Sequence, residues 1–424
     1  MKHTRLTAVL LLFALLLPLA GCAEQPAPAP ESPASSDLMA GITPSAEVNA
    51  LDIPSDHIGQ ADFAVRLLQN SFADGKNTLV SPLSVLSALA MTANGAKGDT
   101  LAEMEATLGL SADELNAYFR SLREKLAGEE DGPRFHLANS IWFTDDERFT
   151  VDTGFLQTNA DFYGAGIYRA PFDDGTLREI NDWVKDNTDG MIPQILDQIP
   201  EDAVMYLINA LAFDGEWADP YNEYQVRPGD FTREDGTKQT VDFMRSEEYL
   251  YLEDGDAATG FIKPYKGGKY AFAALLPKEG TTVADYVKTL DGEKLCRILS
   301  SAEQTLVEAA LPRFETEYST ELSEVLKAMG MPTAFDSVKA DFSGLGTSTE
   351  GNIFIGRVLH KTFIAVNEQG TKAGAATAVE MLTEGAMEMP EPKRVTLDRP
   401  FVYMLIDCET NLPFFLCVIA DPVA

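Results

Sequence analysis

Apolar residues fall into three regimes along this chain. A nearly unbroken apolar run, Leu6 to Leu17, follows Lys2 and Arg5 at the start. After a polar, proline-rich interval, apolar residues return near Pro54 at helical spacing (Ile58, Phe63, Leu67, Leu68). Ser81-Pro82 then opens a helix with proline in its first turn, Thr100 is expected to cap another running to Leu108, and Ser111 to Lys125 makes a third. Beyond them the pattern turns to β-branched and aromatic runs: Arg134 to Phe143, Val204 to Phe213, Tyr270 to Pro277, Gln304 to Phe314, Ile353 to Val366, Phe401 to Asp407 and Phe414 to Ile419. No period of about 20 to 50 residues repeats and no internal linker interrupts the pattern, so one α+β domain with large, mostly antiparallel sheets is expected.

The first regime explains itself as an export signal over residues 1–21. Positive charge precedes the apolar run, and Leu19-Ala20-Gly21-Cys22 closes it with small residues. That closing tetrapeptide resembles a bacterial lipobox, which implies lipidation of Cys22 and a membrane as partner. The run is too short for a comfortable span. The prolines, alanines and serines after Cys22 cannot bury enough apolar surface to fold, so residues 22–53 read as an extended tether and residues 54–424 as the domain. With 424 residues and 45% hydrophobic content, a large core is within reach.

Charge and candidate chemistry narrow the function. Losing Lys2 and Arg5 with the signal takes the formal charge from −33 to −35, which repels nucleic acid and heparin-like polyanions. Cys296, Cys408 and Cys417 remain beside Cys22; a Cys408–Cys417 bond and a buried free Cys417 both fit the pattern. With His3 removed, a hydrolytic triad would need His57, His136 or His360, and no G-x-S-x-G accompanies them. No metal-ligand spacing occurs, so neither a metal nor a cofactor is expected. Asn94 to Thr100 has the glycines and lysine of a phosphate loop without its spacing, and reads as a junction between helices. Among 66 acidic residues, carboxylate pairs are inevitable and carry no weight for a glycosidase.

One passage stands apart. After Val366, roughly 30 residues precede the next clear strand at Pro400, a length that compact domains reserve for functional or disordered loops. Ala373 to Val379 is small and β-tolerant rather than polar. As a strand, one face would carry Thr371, Ala373, Ala375, Thr377, Val379, Met381 and Thr383. The other would carry Lys372, Gly374, Ala376, Ala378, Glu380, Leu382 and Glu384, so every charge falls on that second face. The segment could enter a sheet with its first face on a core and its second toward solvent.

Glu368-Gln-Gly-Thr-Lys-Ala-Gly-Ala-Ala-Thr resembles the hinge of the serpins, and Pro400-Phe401 with Leu416 to Pro422 resembles their closing strands. Asn77 to Ser84, Asn181 to Gly190 and Leu207 to Trp217 are similar to further serpin signatures, in the family's order. The resemblance covers the chain from about Pro54 onward. It implies a fold of about three β-sheets with a large central one, eight to nine helices, and an exposed reactive-centre loop over about 368–398.

The resemblance also implies a function: a monomeric serine protease inhibitor acting as a suicide substrate, not an enzyme, with the target protease as covalent partner. Glu368, Gly370, Thr371, Ala373, Ala375 and Ala376 would form the hinge, Gly370 supplying backbone freedom. Ser81, Ser84, Asn209 and His360 would form the shutter beneath the sheet's opening, and Trp217 the breach where the loop first enters. Lys372 and Gly374 depart from the commoner Glu and Ala. Sixteen residues beyond Glu368 is Glu384, giving Glu384-Gly385 as the scissile bond; eleven residues before Pro400 is Met389. Leu382, Thr383 and Met387 are the neighbouring alternatives, suiting elastase-like, chymotrypsin-like or subtilisin-like enzymes. A non-inhibitory surface binder on the same fold is the other reading. Its place would be outside the cell, lipid-anchored to the bacterial envelope or released.

Overall fold

A computed structural model describes residues 35–45, 57–127, 132–145, 149–199, 205–349, 351–371 and 391–423, all within the unit Ala34–Ala424. The described residues hold nine α-helices: α1 Ile58–Ser71, α2 Pro82–Ala93, α3 Gly98–Leu108, α4 Ala112–Ala127, α5 Thr153–Phe162, α6 Asp174–Asn187, α7 Val283–Lys288, α8 Gly292–Ser300 and α9 Ser323–Met329. Three sheets accompany them. The central sheet has seven strands in the order β1 (Ser36–Asp37), β5 (Gly166–Ala170), β3 (Arg134–Thr144), β6 (Met205–Glu216), β15 (Gly370–Thr371), β14 (Arg357–Val366) and β12 (Phe314–Glu321).

The second sheet has nine strands. Eight run in the order β16 (Lys393–Thr396), β11 (Glu303–Pro312), β8 (Lys238–Asp254), β9 (Ala258–Pro264), β10 (Tyr270–Pro277), β17 (Phe401–Asp407), β18 (Pro413–Ile419) and β2 (Thr78–Val80); β7 (Val226–Thr232) pairs with β8. A small third sheet joins β13 (Gly346–Ser348) to β4 (Phe149–Val151). This is the expected α+β arrangement of nine helices and three sheets around a large central one.

Local chemistry accounts for the elements around the central sheet. Ser81 caps α2 by accepting the Ser84 N–H, Pro82 occupies the first helical position, and every residue of the helix is buried behind the sheet. On the other face, α6 is capped by Asp173 and buries only Thr176, Ile180 and Val184. The central strands serve both sides by alternation. Met205, Leu207, Leu211 and Phe213 of β6 join the main core, whereas Tyr206, Ile208 and Ala210 join a smaller cluster beneath α6 with Trp142, Ile195 and Leu359.

Two expectations need correction. Thr100 lies inside α3, whose cap position is Lys97; its hydroxyl instead accepts the Asp341 N–H at 2.9 Å. The tether over 22–53 is not a free spacer throughout: Ser36–Asp37 adds to the sheet edge beside β5, and Leu38, Met39 and Ile42 pack on the core. Those apolar side chains, with an unpaired edge to receive the backbone, outweigh the local polarity. Of the two cysteine readings the free one holds: Cys408 and Cys417 are not bonded, Cys408 being exposed in a turn and Cys417 buried opposite Tyr403.

Strand β9 must lie close against β10, because a Cβ on Gly260 would stand 1.9 Å from the Ala274 carbonyl oxygen. Gly260→Ala is therefore expected to lower the thermal midpoint by about 5 °C or more, measured by circular dichroism.

Candidate functional site

The central sheet is partly open. Its two middle strands, β6 and β14, pair directly and in parallel from Arg357↔Tyr206 to Phe363↔Ala212. Above that ladder they part, and β15 sits between them, antiparallel to both: Gly370↔Glu216 and Thr371↔Gly215 on one side, Val366↔Thr371 on the other. The chain thus leaves β14, reverses through Asn367 to Gln369, and re-enters the same sheet one slot over. Asn367 makes the reversal: its side-chain carbonyl accepts the N–H groups of Gln369 at 2.9 Å and Gly370 at 3.3 Å.

The residues around this entry hold it in detail. Trp217 donates its backbone N–H to Gln369 O and its indole N–H to Asn367 O, both at 2.9 Å, and the Tyr221 N–H reaches Glu368 O at 2.9 Å. Thr371 is fully buried, its hydroxyl 2.5 Å from that of Tyr265, whose ring stacks on Trp217 at 4.5 Å between centroids. Glu368 faces Arg313 at 3.4 Å on the rim, a largely solvated pair. Gly370 meets two demands: its φ of +159° is one that side-chain-bearing residues rarely adopt, and a Cβ there would stand 2.0 Å from the Gly215 carbonyl oxygen. Backbone angle and close passage between strands both select the glycine. Ala373, Ala375, Ala376, Leu382, Thr383, Glu384, Gly385, Met387 and Met389, like Cys22, lie outside the described residues.

Lower down, a buried polar cluster ties the two parallel strands to α2. His360 of β14 stands opposite Asn209 of β6, with Nδ1 2.8 Å from Asn209 Oδ1. The Ser81 N–H donates to His360 Nε2 at 3.0 Å. A backbone N–H can only donate, so Nε2 is the bare nitrogen and Nδ1 carries the proton given to Asn209. Asn209 passes the chain on, donating Nδ2–H to Asn139 Oδ1 of β3 at 2.8 Å. Ser84 joins through its backbone N–H, which donates to Ser81 Oγ at 3.3 Å; its own hydroxyl is buried without a partner. Ser81, Ser84, Asn209 and His360 are therefore brought together, and Trp217 sits at the upper end of the same opening.

Comparison with known proteins agrees with this geometry. The family model described as Serpin (serine protease inhibitor) matches residues 59–422. The chain is a serpin. It is 33% identical to human Serpin B8, covering 82% of this chain and 94% of that one. It is 31% identical to leukocyte elastase inhibitor A of Mus musculus over 85% of this chain and 97% of that one. The native-state crystal structure of tengpin, a thermophilic serpin, superposes with a TM-score of 0.85 at 45% identity over 91% of this chain and 99% of that one. Against the latent state of tengpin the TM-score is 0.76 at 46% identity, over 88% and 99%. The serpin described here, in which β6 and β14 pair directly over seven residue pairs, scores higher against the native form.

Asn139 and Tyr265 take part in the two clusters without having been singled out in the sequence. Neither carries a local signal: Tyr265 meets Thr371 across 106 residues, and Asn139 meets Asn209 across 70.

Full burial holds the His360 pKa down at about 3, from an ordinary 6.5. Between those values the unfolded chain binds a proton that the folded one refuses, so this contribution to stability is complete above pH 6.5 and is lost as pH falls toward 3. Acidification from pH 7 to pH 5 is expected to remove about 2 kcal/mol through this residue. Denaturation of the wild type and His360→Gln at both pH values checks it: the variant should show a correspondingly smaller loss.

Proposed function

We propose that this serpin traps serine proteases as a suicide substrate, with the loop after Thr371 as bait and the slot between β6 and β14 as its destination. The observation that carries this reading is the two-residue strand β15, already seated antiparallel between the strands that must part, its leading residue uncharged and buried. The protease serine would attack the scissile carbonyl and form an acyl-enzyme. Extension of β15 would then draw the bound protease along the sheet and distort its oxyanion hole, slowing deacylation. The serpin supplies a strand and a slot, with no catalytic group of its own.

The observed register indicates how far the strand could run. Each step down the slot adds one to the loop residue and subtracts one from its β14 partner, so Arg357, the first residue of β14, would face Glu380. A protease attached at Glu384 would be carried to just past the end of the sheet, whereas attachment at Met389 would leave slack. This favours Glu384-Gly385, with Leu382 and Thr383 beside it. On the same count Thr377 arrives between Asn209 and His360, on the same face, where its hydroxyl can take up the hydrogen bonds that parting the strands would break. Lys372 would arrive opposite Asp214, and Glu380 opposite Tyr206 and Arg357. The charges thus meet complementary partners at the two ends of the strand.

The relatives support a protease as partner, one of them being named for inhibiting leukocyte elastase. Leu382, Thr383 or Met387 would suit elastase-like, chymotrypsin-like or subtilisin-like targets. Export through residues 1–21 with a lipid on Cys22 would hold the inhibitor at the outer face of a bacterial envelope, working as a monomer on proteases arriving from outside.

Incubation with a panel of serine proteases is expected to give SDS-stable complexes with at least one, and the mass of the released C-terminal peptide should place the cut at Glu384 or its neighbours. Cleavage by every member without adduct or inhibition would sink the reading. Thr371→Arg, which would bury an unpaired charge at the entry, should still be cut and should form at least about tenfold less complex. Thr377→Val should raise the share of inhibitor cleaved without trapping, through loss of about 1–2 kcal/mol at the shutter.

A further inference from the structure

Behind the entry lies a charged pair that the trapping scheme leaves unused. Lys263 of β9 and Glu248 of β8 are 2% and 5% exposed, with Lys263 Nζ 2.9 Å from Glu248 Oε1. The ammonium also donates to the Asp219 carbonyl at 3.2 Å. It lies 4.5 Å from the centroid of the Tyr221 ring and 5.4 Å from that of Trp217. Ser246 Oγ closes the circuit, 2.6 Å from the same Glu248 oxygen and 3.3 Å from the Tyr221 hydroxyl.

Trp217 and Tyr221 are the two residues that carry the hinge carbonyls of Asn367, Glu368 and Gln369. One buried cation therefore sits against both supports of the point from which the loop would swing. Burying such a pair is costly in desolvation, and replacing a buried pair by apolar side chains of similar volume is often close to neutral for stability. A cation over two aromatic faces fixes their positions in a way that apolar packing does not.

We propose that Lys263, held by Glu248, is a positioning residue that fixes the pivot of loop insertion and so sets how fast the strand enters relative to deacylation. This rests on the trapping function proposed above. Insertion pulls on the chain from Thr371 downward while residues 367–370 stay in place, so the pull is borne by Trp217 and Tyr221. With those two rings loosened, the strand enters more slowly, and more acyl-enzyme hydrolyses before it is trapped.

The decisive variant is Lys263→Met/Glu248→Leu, compared with wild type and with Lys263→Arg, using a protease that the wild type traps. The double variant is expected to keep its thermal midpoint and its rate of acylation, while about threefold or more inhibitor is consumed per protease trapped. Lys263→Arg keeps the cation and should behave as wild type. Unchanged consumption in the folded double variant overturns the proposal. Should that variant not fold, Glu248→Gln preserves volume and hydrogen bonding while removing the counter-charge; unchanged consumption there overturns it equally. A second arm needs no trapping: the loop is nicked with papain and the gain in heat resistance is followed over time. Should the wild type trap no protease, the trapping function fails while this arm still decides the role of Lys263. Equal rates in wild type and variant overturn it, and a rate about threefold slower in the variant supports it.

Discussion

The direct parallel pairing of β6 with β14 is the constraint on which the rest of this serpin depends. Parallel ladders have slanted hydrogen bonds and are slightly weaker per residue than antiparallel ones. Seven residue pairs, Arg357↔Tyr206 to Phe363↔Ala212, are held in that weaker arrangement. On the proposed mechanism, a strand entering between them in the direction of β15 would replace one parallel ladder with two antiparallel ladders, which would place the closed sheet uphill of the filled one. The loop that could fill it is covalently continuous with β14 and has already made the turn. On that mechanism a barrier would keep the sheet closed, because parallel pairs must break before the new ones form.

The two polar clusters act at different points on that barrier. At the top, Trp217, Tyr221 and Tyr265 hold residues 367–371 in the slot, so the turn, the slowest part of a strand addition to organise, is complete beforehand. Half-way down, His360 and Asn209 bond across the strands that must separate, and the Ser81 N–H and Asn139 anchor the pair from behind and beside. An apolar pair at that level could slide apart gradually; a hydrogen-bonded pair in a dry interior has to break at once. Opening is thereby made stepwise, with the resistance concentrated at one level of the sheet.

Much of the scaffold was legible from residue patterns alone. Tyr270–Pro277 and Phe401–Asp407 coincide with the strands observed, since strands buried on both faces read as continuous apolar runs with sharp ends. The helices after α4 were not picked out, although α6 carries an apolar stripe at helical spacing, Leu177, Ile180, Trp183 and Val184, that packs on the smaller cluster; that stretch drew notice only through its family likeness. Strands β7 and β8 were missed because their outward faces carry charges that break up the apolar signal, and β9 because it is short and interrupted by Gly260 and a buried charge, Lys263. The site was legible in proportion to its locality. The glycine and small residues of the hinge stand together in the sequence, whereas the shutter joins β3, β6, β14 and α2 and could be recognised only through family likeness. Gly370 was expected for backbone freedom; the passing Gly215 carbonyl adds a second demand for it, a tertiary fact without a local trace.

The face of the loop strand turned away from the main core also acquires a different meaning. From sequence it needed only to tolerate solvent, yet the lower half of the slot runs beside the cluster under α6, where Ile208, Ala210 and Leu359 are packed with Ile180, Val184 and Ile192. By the register of β15, Ala376 would arrive opposite Ala210, and Ala378 opposite Ile208 and Leu359. Small side chains there can pass beneath the helix with limited disturbance, whereas larger ones would have to lift it off an interface made of only a few apolar residues. Of the charged residues of that face, Lys372 falls above this stretch and Glu380 and Glu384 below it. The alanine-rich composition that first distinguished the loop therefore answers two demands: a strand light enough to join a sheet, and a face low enough to slide under its cover.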